Sequence, residues 1–176
     1  MSGHSKWSQI KHKKGLSDQK KGQAFSKLAK KISIAARGGT DTSTNYKLQA
    51  VINEARDLNM PKENIERAIK KASEKGGVGL DVVIIQAMGP GSVAMVIEGI
   101  TDNKNRTLSE VKNILVKNDA KIVPENSLNW MFNKNWEPNS PLEISDQIII
   151  QKLDKLLEEL DAHDDVENIH LNTNLP

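Results

Sequence analysis

Apolar side chains recur every three to four positions through the first third of the chain. Phe25, Leu28, Ala29, Ile32, Ala35 and Ala36 share one stripe of a predicted helix. The spacing starts it after Ser17, a favourable N-cap, and Gly38-Gly39 stops it. Leu48, Val51, Ile52, Ala55 and Leu58 form the stripe of a second helix, from about Asn45 to Leu58. A third opens at Pro61, a favoured first helical position, with Glu63 and Glu66 early and Lys70 and Lys71 late, as the helix dipole prefers. Ile65, Ala68, Ile69 and Ala72 are its apolar side, and Gly76-Gly77 ends it. Three short amphipathic helices over residues 17–77 imply a small bundle, preceded at 1–16 by a basic arm without helical periodicity.

Beyond Gly79 the period changes. Val82-Val83-Ile84-Ile85 reads as a strand, Gly89-Pro90-Gly91 as a turn, and Val93–Ile97 as the hairpin partner. Residues Thr101–Arg106 read as a polar loop. Thr107 with Glu110 three positions on has the form of a capping box, for a helix carrying Leu108, Val111, Ile114 and Leu115. Leu128, Trp130 and Phe132 alternate with Asn129 and Met131, which predicts a third strand. Residues 133–141, with two prolines, read as a linker. A long helix follows from about Ser145 to Ala162, with Ile149, Leu153, Leu156, Leu157 and Leu160 inward, and Val166–Leu171 is a last strand. The order ββαβ–αβ over residues 80–176 argues for an α+β domain, one sheet covered by two helices. The expected fold class is therefore α and α+β, a three-helix bundle followed by an antiparallel sheet domain.

Charge sharpens this division. The net +2 of the 176 residues hides 17 Lys/Arg against 7 Asp/Glu in residues 1–75, and 8 against 16 in residues 76–176. Within residues 1–37 there are ten bases and one acid, Asp18. Such asymmetry points to nucleic-acid or membrane contact by the basic part. No apolar run approaches the ~20 residues that span a bilayer. A solvated face is the bland alternative for these lysines, and the ten-to-one sign bias with the absence of Glu–Lys pairing favours nucleic acid over it. The candidate backbone contacts are Lys6, Lys11, Lys13 and Lys14 on the arm and Lys20, Lys21, Lys27 and Lys31 on the first helix. On that helix Lys20, Lys27 and Lys31 fall in one arc away from the apolar stripe. Cations so arranged neutralise phosphates and release counterions. His4 and Trp7 lie beside them. Trp7 either docks the arm on the bundle or stacks on a base. Arg106 is a candidate second contact and equally a surface charge.

Signs of catalysis are weak. Cysteine is absent, which removes thiolate chemistry and thiolate metal sites. Met88-Gly89-Pro90-Gly91-Ser92 lacks the lysine of a phosphate-binding loop and sits between two strands. Asp161, His163, Asp164 and Asp165 cluster where a helix meets a solvated turn, and His4 and His12 lie eight residues apart on the arm, so no metal is expected. There is no Gly-x-Ser-x-Gly elbow, and Glu158-Glu159 fall on a polar helix face. The chain reads as a non-enzyme with no cofactor and no small-molecule substrate. No signal-peptide core opens it, and a cytoplasmic location is expected.

Several segments together resemble the YebC/PmpR family. They are Gly3-His4-Ser5-Lys6-Trp7, Ile10-Lys11, Phe25-Ser26-Lys27-Leu28, Asn59-Met60-Pro61 and Ile65-Glu66-Arg67-Ala68-Ile69. Gly89-Pro90-Gly91, Thr101–Thr107, Trp130-Met131-Phe132, Asp164-Asp165-Val166 and Asn174-Leu175-Pro176 continue the match in order. The resemblance implies an N-terminal three-helix domain, ferredoxin-like α/β lobes and no catalysis. The family is described both as DNA-binding transcriptional regulators and as translation factors acting on the ribosome, with a mitochondrial branch that activates synthesis of a respiratory-chain subunit. This chain departs from the pattern at Gln23, Gln86-Ala87 and Asn118-Asp119-Ala120, and 133–141 stands where the family inserts a further lobe. Three functions follow as expectations: a translation factor on ribosomal RNA, possible ribosome contact included; a DNA-binding transcriptional regulator; and an adaptor that uses the acidic domain to bind protein.

Overall fold

In the computed structural model, which describes residues 18–73 and 79–175, the first helical stretch is built as its apolar period predicts. Helix α1 spans Asp18–Ala36, α2 Tyr46–Asp57 and α3 Lys62–Ser73. Leu28 and Ile32 of α1, Leu48 and Ile52 of α2 and Ile65 and Ala68 of α3 meet in one buried cluster. The Ser33 hydroxyl donates to the Ala68 carbonyl at 3.0 Å inside that core, tying α1 to α3. Asn45 turns the α1–α2 corner. Its oxygen accepts from Leu48 N at 3.0 Å, and its amide donates to the carbonyls of Ala35 at 2.8 Å and Gly39 at 2.7 Å. One side chain thus satisfies groups at the end of one helix and the start of the next. The expected boundaries Ser17 and Gly76-Gly77 lie outside the described residues.

The chain divides into two compact units, and the second contains the sheet. Strands β1 (Asp81–Met88), β2 (Ala94–Thr101), β3 (Lys121–Ile122) and β4 (Val166–Leu171) lie in the order β3-β1-β2-β4. β3 is antiparallel to β1, and β4 to β2. Helices α4 (Lys104–Lys117) and α5 (Gln147–Asp161) precede β3 and β4. The β1–β2 pair forms the two inner strands, and each edge strand follows a helix. The turn between β1 and β2 places Gly91 at φ 68°, where glycine costs least.

Alternation along the strands sorts the core into two faces. Ile85, Ala87, Met95 and Ile97 pack with Val111 and Leu115 of α4 and with Leu153, Leu156 and Leu160 of α5. Ala94 and Val96 point the other way, against Leu128, Phe132, Met131 and Trp136.

Three expectations are corrected. Residues 128–132 are not a strand: Asn129–Met131 form a 3-10 turn, with Leu128 and Phe132 buried four positions apart and Trp130 outside. The third strand is instead the two-residue β3. β2 runs to Thr101 and the next helix begins at Lys104, so only residues 102–103 of the expected 101–106 loop lie between elements, and Thr107 lies within the helix and is no cap. Residues 133–141 are a built turn, not a plain linker. The Asn133 side chain accepts from the backbone of Asn135 at 2.8 Å and Glu137 at 3.1 Å, and Phe132 bridges Pro138.

Candidate nucleic-acid interface

The arm residues His4, Lys6, Trp7, Lys11, Lys13 and Lys14 lie outside the described residues, so the interface is built here from the helices. Lys20 and Lys21 stand exposed in the first turns of α1. Lys27 departs from the expected arc, being only 6% exposed beside the buried Leu28. Lys31 is half-buried, with Nζ 3.5 Å from Glu54 Oε1 on α2.

The cations of α2 and α3 were not singled out as contacts by sequence. On α3, Arg67, Lys70 and Lys71 are exposed at the i, i+3, i+4 spacing that places them on one side, away from Ile65 and Ala68. Lys47 and Arg56 are exposed on α2, and Arg37 just past α1. The signal was available in the spacing of α3, where three cations face away from a clear apolar stripe.

Arg106 sits in the sheet unit and faces carboxylates. Its Nη2 lies 2.8 Å from Asp165 Oδ2, and its Nε 4.0 Å from Glu110 Oε2. The Asp165 carboxylate is buried and accepts a second bond, from the Thr107 hydroxyl at 2.7 Å. The guanidinium thus acts as a strut between α4 and the α5–β4 turn. His163 completes the group: Asp165 N donates to its Nδ1 at 3.1 Å, and its Nε2 meets Glu110 Oε2 at 2.8 Å.

Of the sequence cluster, His163 and Asp165 come together, joined by Glu110, with ligand atoms within 4.8 Å of one another. The hydrogen bonds argue against a metal. A ring nitrogen that accepts from a backbone N–H leaves the proton of neutral imidazole on Nε2, where it points at Glu110 instead of offering a lone pair. Asp165 is meanwhile engaged by a cation. As it stands, the group links α4 to the α5–β4 turn through Arg106, Thr107 and Glu110.

A second polar group lies on the sheet face away from the helices. Glu98 accepts from His170 Nε2 at 3.0 Å, Asn168 Nδ2 at 3.0 Å and Trp136 Nε1 at 3.1 Å. The His170 bond above all holds its carboxyl below the ordinary glutamate range, against partial burial, with Asn168, the His170 charge and Trp136 adding. The Trp136 ring is edge-on to Phe132 at 6.2 Å. No helix among the described residues is long and apolar enough to cross a membrane.

Comparison with known proteins gives this geometry a setting. Residues 5–75 match the model of the TACO1/YebC protein N-terminal domain, and residues 80–135 that of the TACO1/YebC second and third domain. A probable transcriptional regulatory protein of Treponema denticola is 50% identical over 136 residues, 76% of this chain and 55% of its own length. One from Natranaerobius thermophilus is 42% identical over 166 residues, 93% of this chain and 66% of its own. The chain thus spans little more than half of the Treponema relative. The crystal structure of a conserved hypothetical protein, Aq1575 from Aquifex aeolicus, is similar with a TM-score of 0.87 at 29% identity, over 98% of both chains.

Proposed function

Because the chain belongs to the TACO1/YebC family, we propose that it is a non-enzymatic regulator of gene expression that grips the phosphate backbone of nucleic acid. The observation that carries this reading is the set of exposed cations on the three-helix unit. Lys20, Lys21, Arg37, Lys47, Arg56, Arg67, Lys70 and Lys71 all stand outside its closed apolar core. Ten bases against one acid in the first 37 residues extend the same charge into the arm.

The favoured target is RNA, in a ribosomal setting. Lysines spread over three helices suit backbone contact, which positions a protein without reading sequence. Folded RNA is recognised largely by shape and backbone. A sequence-preferring DNA regulator is the second reading, and the name of the Treponema and Natranaerobius relatives favours it.

Cosedimentation with ribosomes, run beside a competition of promoter DNA against random DNA, separates the two. Affinity for a long nucleic acid should fall roughly a thousandfold between about 50 and 200 mM salt if about six phosphates are engaged. Changing Lys11, Lys13, Lys14, Lys20 and Lys21 to Gln should lower both affinity and salt slope. An unchanged slope would refute the assignment of this face. A protein partner that copurifies, with neither polymer bound, would favour the adaptor.

A further inference from the structure

Trp130 is 74% exposed, an unusual position for a ring of such apolar area. Its backbone is held on both sides. Leu128 and Phe132 are buried in the cluster on the second sheet face. Met131 N donates to the Leu128 carbonyl at 2.9 Å. Asn139 clamps the turn twice, its backbone N–H donating to Met131 O at 2.9 Å and its amide to Trp130 O at 2.9 Å. From below, Gln86 donates to Asn129 Oδ1 at 2.6 Å and accepts from Leu128 N at 2.9 Å. With Leu128 and Phe132 anchored inward two positions to either side, the turn displays the indole outward.

The exposed residues near Trp130 in the chain are polar. Asn126, Ser127, Asn129, Asn133, Lys134 and Asn139 are all exposed. Residues 125–139 hold Lys134 against Glu125 and Glu137, so the ring, and not local charge, is what this turn offers a ligand. A protein partner ordinarily needs contiguous apolar area of hundreds of Å². A nucleobase needs one flat ring with hydrogen-bonding groups at its rim, and every base has such a face to offer.

We propose that Trp130 is a stacking platform for an unpaired nucleobase of single-stranded nucleic acid. This rests on the nucleic-acid reading above and adds base contact to backbone contact.

The test uses the full chain and fluorescence anisotropy. The probes are an unpaired oligonucleotide of about 16 nucleotides, in RNA and DNA forms, and a duplex of equal length. W130A should bind the single strand about tenfold more weakly, with the salt slope unchanged because no ion pair is lost, and bind the duplex as the parent does. W130F should recover most of the affinity. The ring is exposed, so neither variant should lower the unfolding midpoint. If the parent binds both polymers and W130A matches it on the single strand, the platform is refuted while the backbone grip stands. An equal loss on the duplex, or loss of a copurifying protein with RNA binding intact, also overturns it. If the parent binds neither polymer at low salt, both readings fall.

Discussion

Replacing Arg106 with methionine separates a strut from a phosphate contact. The substitution keeps the stem and removes the guanidinium that lies 2.8 Å from Asp165. The carboxylate it leaves is 6% exposed, while the arginine side chain is 43% exposed. A charge-assisted hydrogen bond contributes about 1.5–3 kcal/mol, and stranding a fully buried charge costs about 3–5 kcal/mol. Two features pull the figure down here. Thr107 keeps one bond to the carboxylate, and the half-open arginine leaves the pair partly screened. The expected loss is about 2–3 kcal/mol. In a D165N background the same change should cost only about 1 kcal/mol, since a neutral amide has no charge to strand. Urea unfolding followed by tryptophan emission reads this unit, because Trp130 and Trp136 both lie in it. Suppose R106M unfolds within about 0.5 kcal/mol of the parent, and the salt slope of RNA binding drops by about one. Then the guanidinium serves phosphate, and the strut is wrong.

Further outcomes follow from single contacts. His170 first of all holds the Glu98 carboxyl below its ordinary range. Its stabilising contribution is therefore complete above about pH 4.3, the usual glutamate value, and fades as pH falls through the lowered native value. E98Q should flatten that acid limb of the stability curve, and an unchanged limb would show that the group does not matter there. Asn45→Ala removes a cap and two donors to carbonyls near the end of α1, so about 1–2 kcal/mol of stability should disappear in thermal unfolding followed by circular dichroism. Gly99→Ala would place a Cβ 2.6 Å from the Asp165 carbonyl oxygen and 3.2 Å from Val83 Cγ1. Backbone cannot give way as a side chain can, so a loss of about 2 kcal/mol or more is expected in denaturant unfolding.

Helices and strands with a strong period were legible in the sequence, and the reasons for the failures are physical. The stripes of α1, α2, α3 and α5 each span several turns, so the period averages over many residues. Leu128, Trp130 and Phe132 offer three positions, too few to tell alternation from a turn whose anchors sit four apart. Lys121-Ile122 offers two, and shows no period at all. Thr107 with Glu110 matched a capping box by spacing, yet both side chains belong to tertiary bonds, with Asp165 and His163, more than fifty residues away in sequence. No local pattern encodes such a partner. The cationic character of the first unit was plain from composition, but which lysines face water was not. Lys27 and Lys31 are drawn inward, and Arg67 and Lys71 carry the charge outward on α3.

The second face of the sheet shows how a short connection constrains the rest of this unit. Ala94 and Val96 have 0% exposure on the side away from α4 and α5, so something must cover them. Leu128, Phe132 and Trp136 do so, from a segment that begins just after β3 and ends before α5. To insert anchors at 128, 132 and 136, the chain turns sharply at Asn126 and Trp136, both with positive φ, and local side-chain bonds such as those of Asn133 offset that strain. Anchors four apart force the residue midway between the first two away from the sheet. The exposure of Trp130 is thus a geometric consequence of closing this core with so few residues, and that closure is what leaves an indole facing solvent beside neutral amides.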